Sequence, residues 1–167
     1  ARKQGNPVLE LQALSNLGNV HASTNNLERA ISYFEQSLEV AKRTGNRAGE
    51  GNAVGNLANA YLGLGRLDLA RGFLVRDLQV ARALGDRHGE RQTLGNLATA
   101  YWKGGDLDRA VALYNMSLEA AHALGDSRGE SAILSNLGAV YSERGDWDDA
   151  ERFLIRGLQL SEKIGDH

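Results

Sequence analysis

The chain repeats itself every forty residues, and that period constrains its fold more than any single residue does. Gly-Asn-Leu-Ala-x-Ala-Tyr begins at Gly55 and again at Gly95, while Ser-Asn-Leu-Gly begins at Ser15 and again at Ser135. Each start leads to an alanine (Ala30, Ala70, Ala110, Ala150), then a leucine (Leu38, Leu78, Leu118, Leu158), then a glycine (Gly45, Gly85, Gly125, Gly165). Such a period marks a stack of one small supersecondary unit, and stacks are more often binding surfaces than catalysts.

Two helices fit into each period. Val54, Leu57, Ala58 and Tyr61 fall at i, i+3, i+4 and i+7, one face of a helix, and Leu67, Ala70, Leu74, Leu78 and Ala81 form the stripe of the next. Asn25, Gly65, Gly105 and Gly145 punctuate the two helices, at the position where a left-handed residue ends a helix. Asn26, Asp106 and Asp146 follow as candidate N-caps, with Arg66 as the exception. The longer-range turn is Gly-Asp or Gly-Asn, at Gly45-Asn46, Gly85-Asp86, Gly125-Asp126 and Gly165-Asp166. Near the start, Asn6-Pro7 reads as a cap followed by proline at the first helical position. The pattern predicts helices at 7–23, 27–44, 47–64, 67–84, 87–103, 107–124, 127–144 and 147–164. The expected architecture is all-α, an α-solenoid of antiparallel helix pairs with about eight helices.

The domain expectation is one array over 1–167, without internal linkers. Residues 1–14 are read as the tail of a preceding repeat and the start of a first helix, followed by repeats 15–54, 55–94, 95–134 and 135–167. Gly5-Asn6-Pro7 aligns with Gly85-Asp86-Arg87, and the chain stops at Gly165-Asp166-His167, where another repeat would begin. Neither end carries a distinct polar capping helix, so a piece of a longer array, natural or designed, is the expectation.

Composition removes several function classes. A net charge of -2 and a pI near 6.1 give no basic stripe for a nucleic-acid backbone. Cysteine is absent, which removes disulfides and thiolate metal sites and fits a reducing compartment, the cytoplasm being the expectation. No apolar run approaches the roughly 18 residues that span a bilayer, and no signal peptide opens the chain. The only methionine is Met116, as expected of a processed chain or a fragment. His21, His88, His122 and His167 have no metal-ligand spacing, and a Walker loop or Ser/His/Asp pattern is lacking. Asp146-Trp147-Asp148-Asp149 reads as a helix start, as do Glu10, Glu50, Glu90 and Glu130. No catalytic residue, cofactor site or metal site is expected.

At these positions the residues resemble the tetratricopeptide repeat. Its pattern of Leu, small residue and Tyr in the first helix and Ala in the second matches Leu57, Ala58, Tyr61 and Ala70. It matches Leu97, Ala98, Tyr101 and Ala110, and again Leu137, Gly138, Tyr141 and Ala150. The first repeat has Leu17, Gly18 and Ala30, but His21 stands where tyrosine is expected. The usual unit has about 34 residues and often a proline near its end. This longer form, running through Ala-Leu-Gly-Asp-x-x-Gly-Glu, looks like the repeats of kinesin light chain, the Leu-Gly-Asn spindle-orientation adaptor and bacterial signalling proteins. The resemblance implies a right-handed superhelix whose first helices line a concave groove for peptide or protein ligands.

With the Leu57/Tyr61 face buried, the opposite face of each first helix looks into that groove. One column there is uniform: Asn16, Asn56, Asn96 and Asn136. Asparagine inside a helix costs up to about 0.7 kcal/mol relative to alanine, whereas its amide can pair with both the N–H and the C=O of a bound backbone. The alternative is duplication of an asparagine that meets only water or a neighbouring helix. Asn52 and Gln92 lie nearby, with Gln12 and Ala132 in the same column, and a second polar row runs Asn19, Asn59, Thr99 before lapsing at Ala139. Trp102, one turn on, either anchors an apolar ligand side chain or shelters its own repeat. The column of Ser15, Gly55, Gly95 and Ser135 either admits a ligand backbone or packs first helices together. The basic residues that in relatives clamp a C-terminal carboxylate are missing there, and Arg91, the nearest cation, reads as a solvated surface residue.

The leading functional expectation is a protein-interaction module holding a peptide segment in its groove through the asparagine ladder. The alternatives are a structural scaffold that self-associates end to end, where Leu154, Ile155 and Leu158 lack a following repeat, or a sensor or autoinhibitory arm of a larger bacterial signalling protein. Nucleic-acid and membrane partners are not expected.

Overall fold

The computed structural model describes residues 6–165, and among these it contains eight α-helices and no strand. They are α1 (Pro7–Ser23), α2 (Leu27–Thr44), α3 (Arg47–Gly63), α4 (Leu67–Leu84), α5 (Arg87–Lys103), α6 (Leu107–Leu124), α7 (Ser127–Arg144) and α8 (Trp147–Gly165). Two ends differ from the sequence expectation by one residue. α3 stops at Gly63, and α8 runs through Gly165, which is therefore helical instead of forming a turn. The expectations on Gly5, Asp166 and His167 lie outside the described residues.

The helices form two compact units, one ending at Leu84 and the other beginning at Gly85, each of two helix pairs. Local chemistry sets the helix ends. Gly45, Gly65, Gly85, Gly105, Gly125 and Gly145 all have positive φ, and Asn25 takes the same left-handed conformation at φ 58°. Asparagine is the side chain that best tolerates that conformation, so the first repeat keeps its turn without a glycine. The Gly-Asx residues cap as expected: Asn46, Asp86 and Asp126 accept from the backbone N–H of Gly49, Gly89 and Gly129 at 2.9, 2.8 and 2.9 Å. Asn6 accepts from Val8 N–H at 3.0 Å, with proline in the first turn.

These caps explain a second recurrence, the glycine before Glu50, Glu90 and Glu130. A Cβ on Gly89 would lie 2.5 Å from the Asp86 carboxylate, so the cap occupies the space a side chain would need. The within-pair caps are less uniform. Asp106 accepts from Arg109 N–H at 3.1 Å, Asn26 makes no side-chain cap bond, and Asp146 pairs with Arg144.

Each core sits where one pair's second helix meets the next pair's first. In the first unit Ala30, Ile31, Phe34 and Leu38 of α2 close on Ala53, Val54, Leu57 and Tyr61 of α3. In the second, Tyr114 of α6 joins Ile133, Leu134, Leu137 and Val140 of α7, with Phe153 of α8. Leu57 and Leu137 are fully enclosed, and burying one such side chain is worth about 1.5–3 kcal/mol. His21, where the repeat pattern expects tyrosine, stacks on Tyr33 at 5.4 Å between ring centroids. Tyr61–Phe73 and Tyr141–Phe153 stack the same way at 5.4 and 5.2 Å, so the departure at His21 conserves a ring pair.

Candidate interaction face

The buried stripe of each first helix leaves an opposite polar face, and the asparagine column stands there. Asn16 on α1 is exposed, while Asn56 on α3, Asn96 on α5 and Asn136 on α7 are half-buried. Asn19, Asn52, Asn59 and Gln92 are exposed. Asn59 and Asn96 already interact with other groups of the protein.

Within each unit the first helices are held side by side by different chemistry. In the first, Leu11 of α1 reaches the start of α3, where a Cβ on Gly49 would fall 2.7 Å from its Cδ1. In the second, Arg91 Nε of α5 lies 3.0 Å from Asp126 Oδ2, the cap of α7, with only 19% and 21% of the two side chains exposed. At the other end of these helices Trp102 Nε1 donates to Glu143 Oε2 at 2.6 Å. Arg91 is thus a clamp between helices and not the solvated surface cation expected from the sequence, because its partner is a capping residue thirty-five positions away. Trp102 is half-buried and spends its N–H on this bond.

The small column has a partner that the sequence reading missed. Ser15 and Ser37 place their hydroxyls 3.0 Å apart, and a Cβ on Gly95 would meet Ser117 Oγ at 3.4 Å. A Cβ on Gly55 would come 3.3 Å from the Asp77 carboxylate, and Ser135 Oγ is 3.3 Å from the Cβ position of Gly157. Ser15, Gly55, Gly95 and Ser135 therefore face the second helix of their own pair, rather than a neighbouring first helix. Side-chain oxygens bridge this seam: Ser117 Oγ donates to the Arg91 carbonyl at 2.8 Å, and Ser131 Oγ to the Gly157 carbonyl at 3.0 Å. The signal was available, since Ser37, Asp77, Ser117 and Gly157 repeat with the same period.

Thr99 lies at the edge of the same seam, its Oγ1 2.7 Å from Tyr114 Oη and 3.0 Å from the Gly95 carbonyl. Burial pushes the Tyr114 hydroxyl above its ordinary pKa of 10.0, and the Thr99 bond works the other way. A cleft of ≈ 540 Å³ opens on the second unit beside Gly104, Asp106, Leu107, Asp108 and Arg144, and contains none of the asparagines. Arg144 there bonds Asp108 and Asp146 and lies over the Tyr141 ring at 4.8 Å. Among the described residues no group of three His, Asp or Glu side chains could hold a metal ion, and no helix is long and apolar enough to cross a membrane.

Antiparallel helix pairs joined by left-handed turns, with alanine and tyrosine recurring at the seams, define a helical-repeat protein. Models of the tetratricopeptide repeat match residues 9–76, 50–123 and 131–164, and the chain belongs to that family. No curated protein matches its sequence. Among solved structures it is similar to BtubC (BKLC) from P. vanneervenii, with a TM-score of 0.89 and 23% identity over 100% of this chain and 68% of that one. It is similar to a Rap protein complexed with Competence and Sporulation Factor, with a TM-score of 0.88, 15% identity, and coverage of 97% and 45%. It also resembles NprR in complex with its cognate peptide NprX, at TM-score 0.77 and 23% identity over 95% and 46% of the two chains. The chain thus spans less than half of the Rap and NprR structures, and these likenesses establish the helical-repeat fold.

Proposed function

We propose that the chain is a non-catalytic protein-interaction module that holds an extended peptide segment along the polar faces of its first helices. What carries this reading is the state of Asn56 and Asn136. Both are half-buried, bond to no described residue, and are not among the groups sealed from solvent. An amide so placed keeps two donors and an acceptor for a ligand backbone. Adjacent helices pack roughly 10 Å apart and an extended chain advances about 3.3–3.6 Å per residue, so each helix would meet every third ligand residue. Asn16, Asn52, Asn19 and Gln92 extend the polar faces, and Asn96, Asn59 and Thr99 take part while keeping their internal bonds. Trp102 borders the face as an apolar contact. The peptide carried by NprR in its complex gives the reading a precedent in a related fold.

Peptides selected from a random display library on the unmodified chain supply the probe. Replacing Asn56 and Asn136 together with alanine removes two net hydrogen bonds of about 1 kcal/mol each, so affinity should fall by about tenfold or more. Unchanged affinity in a variant with unaltered helical signal removes the ladder from the mechanism.

A second reading is self-association through the terminal helices. Leu17 and Val20 on α1 are 44% and 59% exposed, and Ile155 and Leu158 on α8 are 46% and 60% exposed. Apolar residues grouped on one face of a helix favour association.

A further inference from the structure

The first helices of the first unit bring almost no charge to their polar face. No Asp, Glu, Lys or Arg lies between Leu11 and Ser23 on α1 or between Gly51 and Gly63 on α3, although 24% of the chain is charged. The ionisable side chains in those stretches, His21 and Tyr61, are held in ring stacks. One formal charge comes from the second helix of the pair. Asp77 of α4 is half-buried, and its carboxylate lies beside Gly51 and Gly55 of α3. A Cβ on Gly55 would come 3.3 Å from Oδ2, and one on Gly51 would come 4.0 Å from Oδ1 and 3.1 Å from Val80 Cγ1. The combination belongs to this pair alone. The repeat partners of Asp77 are Ser37, Ser117 and Gly157, and those of Gly51 are Leu11, Arg91 and Ser131. Elsewhere a hydroxyl suffices for the seam, Ser37 meeting Ser15 and Ser117 the Arg91 carbonyl. A carboxylate costs more to bury than a hydroxyl, and each glycine weakens its helix, so stacking alone does not favour the exchange.

Resting on the peptide-binding reading, we infer that Asp77 selects a ligand segment that carries a basic side chain at one position and is otherwise uncharged. The methylene stem of a lysine or arginine would lie along Gly51, Gly55 and Val80, and its charged end would meet the carboxylate. Asn56 adjoins Gly55 in the chain, so the stretch of peptide that pairs with this ladder amide also passes Asp77. Asp77 has an interaction within the protein as well. A carboxylate offers about four acceptor sites, so a ligand cation adds to that interaction and need not displace it. The α1–α2 pair has Ser37 in the same place and offers no charge, so the preference is confined to one point of the ligand. An acidic ligand residue at that point would meet like charge.

Peptides are selected from a random display library on the unmodified chain and, separately, on Asp77→Asn. The first selection should be enriched in Lys or Arg at one position, and the second should not. One selected peptide and its version with glutamine at that position are then measured against both proteins. The unmodified chain should lose about tenfold in affinity on the change to glutamine, whereas Asp77→Asn should scarcely distinguish the two peptides, which isolates the pair. Affinity of the unmodified chain for the basic peptide should also fall with salt more steeply than its affinity for the glutamine version. Asp77→Ser, the residue of α2 and α6, repeats the cycle where Asp77→Asn loses helical signal. Joint replacement of Asn56 and Asn136 by alanine should weaken both peptides alike, so the ladder and Asp77 are read separately. Peptides that bind without a basic preference, or an equal penalty on both proteins, overturn the role of Asp77 and leave peptide binding standing. A library that yields no binder overturns both.

Discussion

The two units share a helix plan and fasten it differently. In the first, close apolar approach does the work: Leu11 covers the start of α3, and the Phe34 ring sits where a Cβ of Gly18 would be. Gly63 likewise gives way to Leu27, whose Cδ1 would be 2.7 Å from a Cβ there. In the second, the same repeat positions carry polar contacts, an ion pair and two hydrogen bonds. Arg91 with Asp126 replaces Leu11 with Asn46, Trp102 with Glu143 replaces Ala22 with Gly63, and Tyr114 with Thr99 replaces Phe34 with Asn19. One backbone therefore tolerates two kinds of seam. Close apolar packing is sensitive to volume, and polar contacts are sensitive to charge state and salt.

The largest expected effect is on the apolar side of that comparison. Phe34→Ala should destabilise the first unit by about 3–5 kcal/mol, because the ring is 2% exposed and leaves a cavity over Gly18. Gly18→Ala should cost about 1–3 kcal/mol by forcing the ring away. The second unit already holds Ala98 there, and Ala98→Gly should cost only about 1 kcal/mol through helix propensity. Hydrogen exchange read helix by helix assigns each loss to its unit. Equal responses to Gly18→Ala and Ala98→Gly would mean that the units do not differ in this seam.

A smaller effect is expected at the Arg91 clamp. Arg91→Ala should lower stability by about 1–3 kcal/mol by stranding a mostly buried carboxylate. Arg91→Leu, the residue of the first unit, should stay within about 1 kcal/mol of the parent, since an apolar side chain can replace an ion pair and Asp126 keeps its bond to Gly129 N–H. Urea denaturation at low and high salt checks both. A leucine variant as damaged as the alanine variant would show that the pair, and not the packing, holds α5 to α7.

Helix ends were legible in the sequence because their determinants are local. Asn46, Asp86 and Asp126 cap helices within three residues of themselves, and the left-handed glycines act on their own turn. The seams were less legible because a small residue leaves the same trace whether a ligand or a helix approaches it. Ser15, Gly55, Gly95 and Ser135 become a helix-pair seam only when read beside Ser37, Asp77, Ser117 and Gly157. His21 shows the same limit: alone it breaks a tyrosine column, and beside Tyr33 it preserves a ring stack. Arg91 could not be assigned without knowing which turn its side chain reaches.

The smallest effect separates the units by pH. Tyr114 is buried, and burial raises its pKa above 10.0 against the opposing Thr99 bond. A raised pKa favours the protonated phenol in the folded state. Its contribution is complete below the unfolded-state pKa and disappears as pH rises through the folded value. Tyr61 in the first unit is also raised, by burial first and then by the Glu35 charge, so both units should weaken at alkaline pH. Tyr114→Phe removes the hydroxyl and the Thr99 bond, lowering stability at neutral pH by about 1 kcal/mol. It should also flatten the alkaline loss in α5–α8 while leaving α1–α4 unchanged. Denaturation midpoints for parent and variant between pH 7 and pH 11 give that difference directly. Parallel curves over the whole range would mean that Tyr114 does not carry the pH dependence of its unit, and that Thr99 holds it only by shape.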